Sequence, residues 1–245
     1  MKSITDYRDM QRKYFDDEAE NMGKHNHLSH NKNIDLWQIG YAVIFHNPEG
    51  FRSKAALDFG CGGGRNIQNI ASFDLFSRID GCDISSFNLV EARKNVLREY
   101  PLLRSEFFQN SGVDCKIESA IKYHFIFSTI VLQHIPVRAI RNEIISNLLE
   151  MLDDDGILSF QMGFSGKKVK KAWGLPLRGA AVGYFEEKTN AGGTNGRCDV
   201  AIDNPFDLIA DLEKLGATDI NWRITPSFED LHPLWIWVQC KRSSD

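Results

Sequence analysis

Leu57-Asp58-Phe59-Gly60-Cys61-Gly62-Gly63-Gly64 joins an acidic side chain to a run of glycines. Glycine lets a backbone turn sharply and lets a ligand approach it closely, because no Cβ intervenes. A Gly-x-Gly-x-Gly taken alone is a weak sign, but its surroundings sharpen it. The run comes off a β-rich segment and leads into a helical one. Asp83 follows nineteen residues after Gly64, in Gly81-Cys82-Asp83-Ile84. A carboxylate at the end of a second strand can accept hydrogen bonds from both hydroxyls of a ribose. The chemistry indicated is the binding of a nucleoside-containing cofactor.

Two kinds of cofactor share this geometry. A dinucleotide site prefers Gly-x-Gly-x-x-Gly, whose third small residue packs the helix against the strand. Here that place is taken by Arg65. Asp58 also sets a carboxylate at the mouth of the turn, where a pyrophosphate is repelled and a cation tolerated. S-adenosylmethionine carries a sulfonium and an α-ammonium, so it fits this charge pattern better. An NAD(P)-dependent oxidoreductase on the same strand–turn–helix unit is the competing enzyme reading. A non-catalytic subunit that keeps the cofactor fold is the non-enzymatic one.

The elements that must position these residues alternate along the chain. Strands are expected at Ala55 to Phe59, Ser77 to Asp83, Glu106 to Asn110, His124 to Ser128 and Ile157 to Met162. Helices are expected at Asn66 to Phe73, Ser86 to Glu99 and Pro136 to Leu152, with Ser85 or Ser86 as a cap and Pro136 in a first turn. Asp153-Asp154-Asp155-Gly156 reads as a tight turn into the fifth strand. Asn204-Pro205 opens a helix running to Leu215, and Asp219 to Ile224 and Leu234 to Cys240 close the chain as strands. Period-two spacing puts Trp235 and Trp237 on one face of the last strand. Such alternation predicts a largely parallel sheet covered by helices. Residues 1–50 and the glycine-rich stretch 163–203 stand outside the alternation and read as a cap and a lid over the site.

With these motifs in place, the core resembles the class I S-adenosylmethionine-dependent methyltransferases, over about residues 51–162 and more loosely 204–241. Asp58 to Gly64 looks like that family's first motif and Asp83-Ile84-Ser85 its second. Phe127 to Ile135 looks like the segment leaving its fourth strand, and Met151 to Leu158 the approach to its fifth. The resemblance implies an α/β, Rossmann-like sheet of seven strands in the order 3-2-1-4-5-7-6, the last antiparallel. It further implies an N-terminal helical cap, an insertion after strand 5 and one methyltransferase domain over 1–245. By that likeness Gly60 and Gly62 line the methionine moiety, Asp83 holds the ribose and Ile84 packs on adenine. Residues near Gly112 to Asp114 lie beside the adenine. Asp58, Cys61, Ser128 and Thr129 complete the expected cofactor set, with Arg65 toward the methionine carboxylate and Tyr14, near the end of the first helix, as a cover of the methionine end.

The acceptor side is less marked. The stretch Ser128-Thr129-Ile130-Val131 lacks the Asp/Asn-Pro-Pro-aromatic signature that similar enzymes use on planar exocyclic amines. His134 is a candidate catalytic base, since an imidazole titrates near neutral pH. His25, His27 and His30, with Tyr184, Asn195, Arg197 and Asp199, are candidates for holding a polar substrate. The histidine cluster lacks a carboxylate or cysteine at a convincing ligand spacing, so no metal is expected. A small-molecule acceptor, methylated on oxygen rather than nitrogen, is the leading expectation.

Composition bounds the rest. Lys and Arg total 29 against 33 Asp and Glu, a formal charge of −4, which makes a broad nucleic-acid surface unexpected. Five cysteines without a Cys-x-x-Cys pair suit reduced thiols and a cytoplasmic protein. The charged first twenty residues do not read as a secretory signal, and the apolar stretch Phe125 to Leu132 is too short to span a bilayer. The motif reading makes one direct prediction. Asp83→Ala weakens cofactor binding by about 1–3 kcal/mol, the range for lost charge-assisted hydrogen bonds. Unchanged affinity by calorimetry removes Asp83 from the site.

Overall fold

The central strands are buried on both faces, which is why they read as near-continuous apolar runs. In the computed structural model, residues 4–22, 40–44, 46–112, 121–135, 137–164, 180–182, 199–202, 204–226 and 234–243 are described. The strands are β1 (Lys54–Phe59), β2 (Phe76–Asp83), β3 (Phe107–Gln109), β4 (Tyr123–Ser128), β5 (Leu152–Phe164), β6 (Ala180–Val182), β7 (Asp199–Ile202), β8 (Ala217–Pro226) and β9 (Leu234–Arg242). The helices are α1 (Ile4–Met22), α2 (Pro48–Phe51), α3 (Arg65–Ala71), α4 (Ser86–Glu99), α5 (Arg138–Glu150) and α6 (Pro205–Lys214), with a 3-10 turn at Leu132–His134.

Strands β3, β2, β1, β4 and β5 lie side by side and parallel. On the far edge of β5, β9 runs antiparallel, and β8 pairs antiparallel with β9. With β8 and β9 as the sixth and seventh strands, this is the expected order with its antiparallel last strand. The insertion adds two more strands, so among the described residues the sheet has nine rather than seven. Their place is informative. Gly163 and Phe164 pair with β9 on one edge of β5, so their pairing with Ala201 and Ile202 of β7 uses the other edge. That edge carries β4 as far as the Ser128–Phe160 pair. β5 thus outruns β4, and β7 takes up the vacated edge beyond β4's carboxyl end.

Alternation sorts side chains onto two faces. Leu57, Phe59, Ile126, Leu158, Phe160, Ile236 and Val238 pack with Ile144 and Leu148 of α5 and Leu212 of α6. Ala56, Phe125, Phe127, Trp235 and Trp237 pack on the opposite face with Ile67 and Ile70 of α3 and Ala92 and Val96 of α4. Trp235 and Trp237 do share that face, with ring centroids 5.8 Å apart at an edge-to-face angle. Phe76, Phe125 and Phe127 stack in succession across the sheet. Tyr41, in a helical segment at 40–44, meets Phe127 edge-on at 5.6 Å.

Three local expectations are corrected. Asp153 to Gly156 is not a turn before the fifth strand. It lies within β5, where the partner register jumps from Tyr123–Leu152 to Phe125–Ile157 and the extra residues bulge outward. The helix after β4 starts at Arg138 with Val137 as its cap, two residues later than Pro136, which lies outside the described residues. Tyr14 is in the body of α1 rather than near its end, since α1 continues to Met22. Ser85 is the cap of α4, its side chain accepting the Asn88 N–H.

Helix α4 approaches the start of α3 through Gly64. Its φ is +87°, and a Cβ there would lie 2.8 Å from Val96 Cγ2 and 3.2 Å from the Ala92 Cα. The close packing that a dinucleotide site assigns to the residue at position 65 is therefore made one residue earlier. Gly64→Ala combines left-handed strain with overpacking and destabilises the fold by about 2–4 kcal/mol. A shift of the urea midpoint at constant slope measures it.

Candidate functional site

The glycine turn continues the ladder of β1 onto β2: the Gly60 and Cys61 N–H groups both donate to the Cys82 carbonyl, at 2.8 and 3.0 Å. Gly60, Gly62 and Gly64 all have positive φ. Their surroundings differ. A Cβ at Gly60 would strike Val131, whereas a Cβ at Gly62 would meet no atom within 4 Å. Gly62 is where the turn faces open space, so a ligand can approach its main chain there. Cys61 is buried and its Sγ lies against Gly81, where a Cβ would come within 2.9 Å of it. Burial pushes the Cys61 thiol well above the ordinary thiol range, which disfavours the thiolate.

Asp83 ends β2 and ties three elements together. Its Oδ2 accepts the Gly62 N–H at 2.9 Å, and its Oδ1 accepts the Ser85 N–H at 2.9 Å and Asn88 Nδ2 at 3.2 Å. Burial raises its pKa, the Ser85 and Gly62 N–H groups and Asn88 pull it back, and Asp16 of α1 pushes it up again. Ile84 lies under the loop after β3, where a Cβ at Gly112 would sit 3.0 Å from its Cδ1. Gln109 Nε2 donates to the Ile84 carbonyl at 3.0 Å, and Asn110 Oδ1 accepts the Gly112 N–H at 2.9 Å. Ile84 and the β3 loop are thus packed together beside the Asp83 carboxylate. Asp114 lies outside the described residues.

Asp58 is wholly buried on the α3 face of the sheet, and neither carboxylate oxygen has a hydrogen-bond partner among the described residues. Burial raises its pKa well above the ordinary range, Arg65 draws it down and Asp83 pushes it up. The Tyr41 hydroxyl, also buried without such a partner, feels both Asp58 and Arg65. Sequence reasoning missed Tyr41, because nothing in the chain before β1 marks a tyrosine as standing beside a strand's acid. An unsatisfied buried carboxylate next to an open glycine turn is suited to a cationic ligand, and the ammonium of an amino-acid group supplies that charge.

Helix α1 lies across this end of the sheet. Gln11 Nε2 donates to the His134 carbonyl at 2.6 Å, Phe15 meets the His134 ring at 6.1 Å, and Arg8 reaches the Gly112 loop. His134 is 9% exposed. Tyr14 points along its own helix and donates to Glu18 Oε1 at 3.2 Å. At the end of β4, Ser128 is buried, its hydroxyl without a partner among the described residues, and the Thr129 hydroxyl accepts Asn66 Nδ2 at 2.6 Å. The structure therefore brings together Asp58, Gly60, Gly62, Arg65, Asp83, Ser128, Thr129 and His134, around the carboxyl ends of β1, β2 and β4. His25, His27, His30, Tyr184, Asn195 and Arg197 lie outside the described residues, and of Asp199 only its place as the first residue of β7 is described.

Comparison with known proteins bears on which nucleoside this site takes. Residues 57–158 match the model of a methyltransferase domain. The fold of the chain is similar to the DhpI–SAM–HEP complex, at 14% identity and TM-score 0.64, covering 98% of this chain and 100% of that one. It is similar also to magnesium protoporphyrin IX methyltransferase from Synechocystis PCC 6803 with bound SAH, at 18% identity and TM-score 0.62, covering 95% and 98%. A third likeness is the N-methyltransferase NodS from Bradyrhizobium japonicum with SAH, at 13% identity and TM-score 0.58, covering 98% of each. Comparison with curated protein sequences returns no significant match. All three of these similar structures hold SAM or SAH. Among the described residues no helix is long and apolar enough to cross a membrane.

The buried Asp58 carboxylate makes a stability prediction with a definite sign. Asp58→Asn stabilises the ligand-free protein by about 1–3 kcal/mol near neutral pH, because an unsatisfied buried charge is removed. The wild-type carboxyl has a raised folded pKa, so its burden is full only above that pKa. The gain should shrink as pH falls through it and vanish below the ordinary value of 3.8. Thermal melts of both proteins across pH measure it.

Proposed function

We propose that this chain is a class I S-adenosylmethionine-dependent methyltransferase that acts on a small-molecule acceptor and delivers the methyl to oxygen rather than nitrogen, as one catalytic unit over 1–245. Residues 1–50 serve as the cap, 51–162 as the cofactor core, 163–203 as the lid, and 204–245 complete the sheet. The observation that carries this reading is the position of the insertion. β7 continues the sheet past the end of β4, on the edge beside the 3-10 turn, with Val200 and Ile202 packed in the same cluster as Leu132. We read β7 there as one wall of the acceptor site, which favours a small acceptor over a macromolecular one. Asp199, opening β7, and Arg197 just before it are the insertion's candidates for holding a polar group of the acceptor, with Tyr184. His25, His27 and His30 are those of the cap.

The residues take the following parts. Asp83 accepts the ribose hydroxyls, and Ile84 with the Gly112 loop and Asp114 holds adenine. Gly60, Cys61 and Gly62 present main chain to the methionine moiety, Asp58 answers its ammonium, and Arg65 its carboxylate. Ser128 and Thr129 border it at the end of β4, and Tyr14 on α1 contributes cover. When bound, S-adenosylmethionine supplies an electrophilic methyl carbon on a sulfonium. The protein then has to align the acceptor in line with that carbon and take a proton from a neutral hydroxyl. His134 closes the 3-10 turn that follows β4, and its imidazole is the group proposed to accept that proton. The missing Pro-Pro-aromatic segment after β4 removes the usual platform for a planar amine, which is what favours oxygen. The N-methyltransferase NodS shares the fold, so the fold itself does not choose the atom.

Metabolite extracts incubated with the enzyme and methyl-labelled cofactor should yield a labelled small product one methylene heavier, with the label on oxygen. Label appearing only in protein or nucleic acid contradicts the reading. With the acceptor in hand, His134→Asn lowers kcat by about 10²–10⁴-fold, the usual worth of a general base, with S-adenosylhomocysteine affinity retained. Full turnover in that variant removes the base role.

A further inference from the structure

The loop leaving β4 contains a backbone conformation that its own sequence disfavours. Ile130 has φ +57°. L side chains seldom adopt this region, and β-branched ones least of all. Ser53, Asp74 and Asp219 share a positive φ, but none of them is β-branched. Something outside the loop has to hold Ile130 there.

That partner is Gln161. β4 ends with Ser128 paired to Phe160, and β5 runs on. At the next residue the wholly buried Gln161 side chain does what a neighbouring strand no longer does. Its Oε1 accepts the Ile130 N–H at 2.8 Å, and its Nε2 donates to Gln133 Oε1 at 2.7 Å. The amide thereby brackets the loop on both sides of Val131. The loop in turn grips the glycine turn at both ends. Val131 packs on Gly60 so closely that a Cβ there would lie 2.3 Å from Val131 Cγ2. Thr129 Oγ1 receives Asn66 Nδ2 at 2.6 Å, just past Gly64 where α3 begins.

We propose that Gln161 is a positioning residue for the cofactor: by holding Ile130 at positive φ, it presses Val131 and Thr129 against the two ends of the glycine turn and presets that turn for the nucleoside. Gln161 touches no ligand itself. It acts through a main-chain conformation, and this gives the test its form, because glycine adopts φ +57° without help.

The experiment is titration calorimetry of S-adenosylhomocysteine with the full chain. Gln161→Met keeps the length of the side chain and removes both polar groups. Its affinity should be weaker by up to about tenfold, the equivalent of a lost buried hydrogen bond. Adding Ile130→Gly to Gln161→Met should restore the affinity to within about twofold of wild type, since the loop then takes its shape unaided. Unchanged affinity in Gln161→Met overturns the proposal, even if that variant melts earlier. So does a double variant as weak as the single, which would make Gln161 an ordinary core residue. If Gln161→Met does not fold, hydrogen exchange of the wild-type Ile130 amide decides. Protection like that of the interior amides of β4 supports the proposal, and exchange at the rate of an exposed loop amide overturns it.

Discussion

A single carboxylate organises the cofactor end of this enzyme. Asp83 takes three hydrogen bonds, from the Gly62 N–H, the Ser85 N–H and the Asn88 amide. These come from the glycine turn, the strand-to-helix corner and the first turn of α4. Each donor is thereby fixed relative to the end of β2, and the turn's open residue, Gly62, is fixed with them. These donors offset the cost of burying the Asp83 carboxylate, so the acid and the turn support each other. The α4 packing against Gly64 and the cap on Ser85 follow from where that carboxylate sits.

The sheet itself sets the second constraint. β5 is longer than β4, and its overhang has two edges. One is covered by β9, which carries the tryptophan pair into the core. The other is divided between the Gln161 side chain, which satisfies the Ile130 N–H, and β7, which pairs at Gly163 and Phe164. A strand edge that outruns its neighbour leaves polar main chain to be satisfied, and here both solutions lie over the reaction end of the sheet. The cofactor turn is thus braced from the β4 side by the same overhang that carries the insertion.

Much of this was legible in the residues. The glycine run, Asp83 and the alternating elements indicated a nucleoside site on a parallel sheet, and the charge of Asp58 favoured a sulfonium over a pyrophosphate. What was not legible depends on tertiary neighbours. Asp153 to Gly156 carries every mark of a turn, yet the register jump opposite Tyr123 absorbs it as a bulge inside β5. Tyr41 and Gln161 have no local signature, because their importance comes from facing Asp58 and Ile130 across the fold. Ile130 itself gives no warning: a β-branched residue is the last that local propensity would put at positive φ. Tyr14 was placed on the right helix, but its hydroxyl answers Glu18 along that helix.

The central claim is that the glycine turn, Asp58 and Asp83 form a site for a cationic nucleoside and not for a dinucleotide. Parallel calorimetric titrations of the full chain with S-adenosylhomocysteine and with NAD(H) test it most directly. The predicted result is one-to-one binding of S-adenosylhomocysteine with no heat from NAD(H). Binding of NAD(H) with none of S-adenosylhomocysteine or S-adenosylmethionine would contradict it.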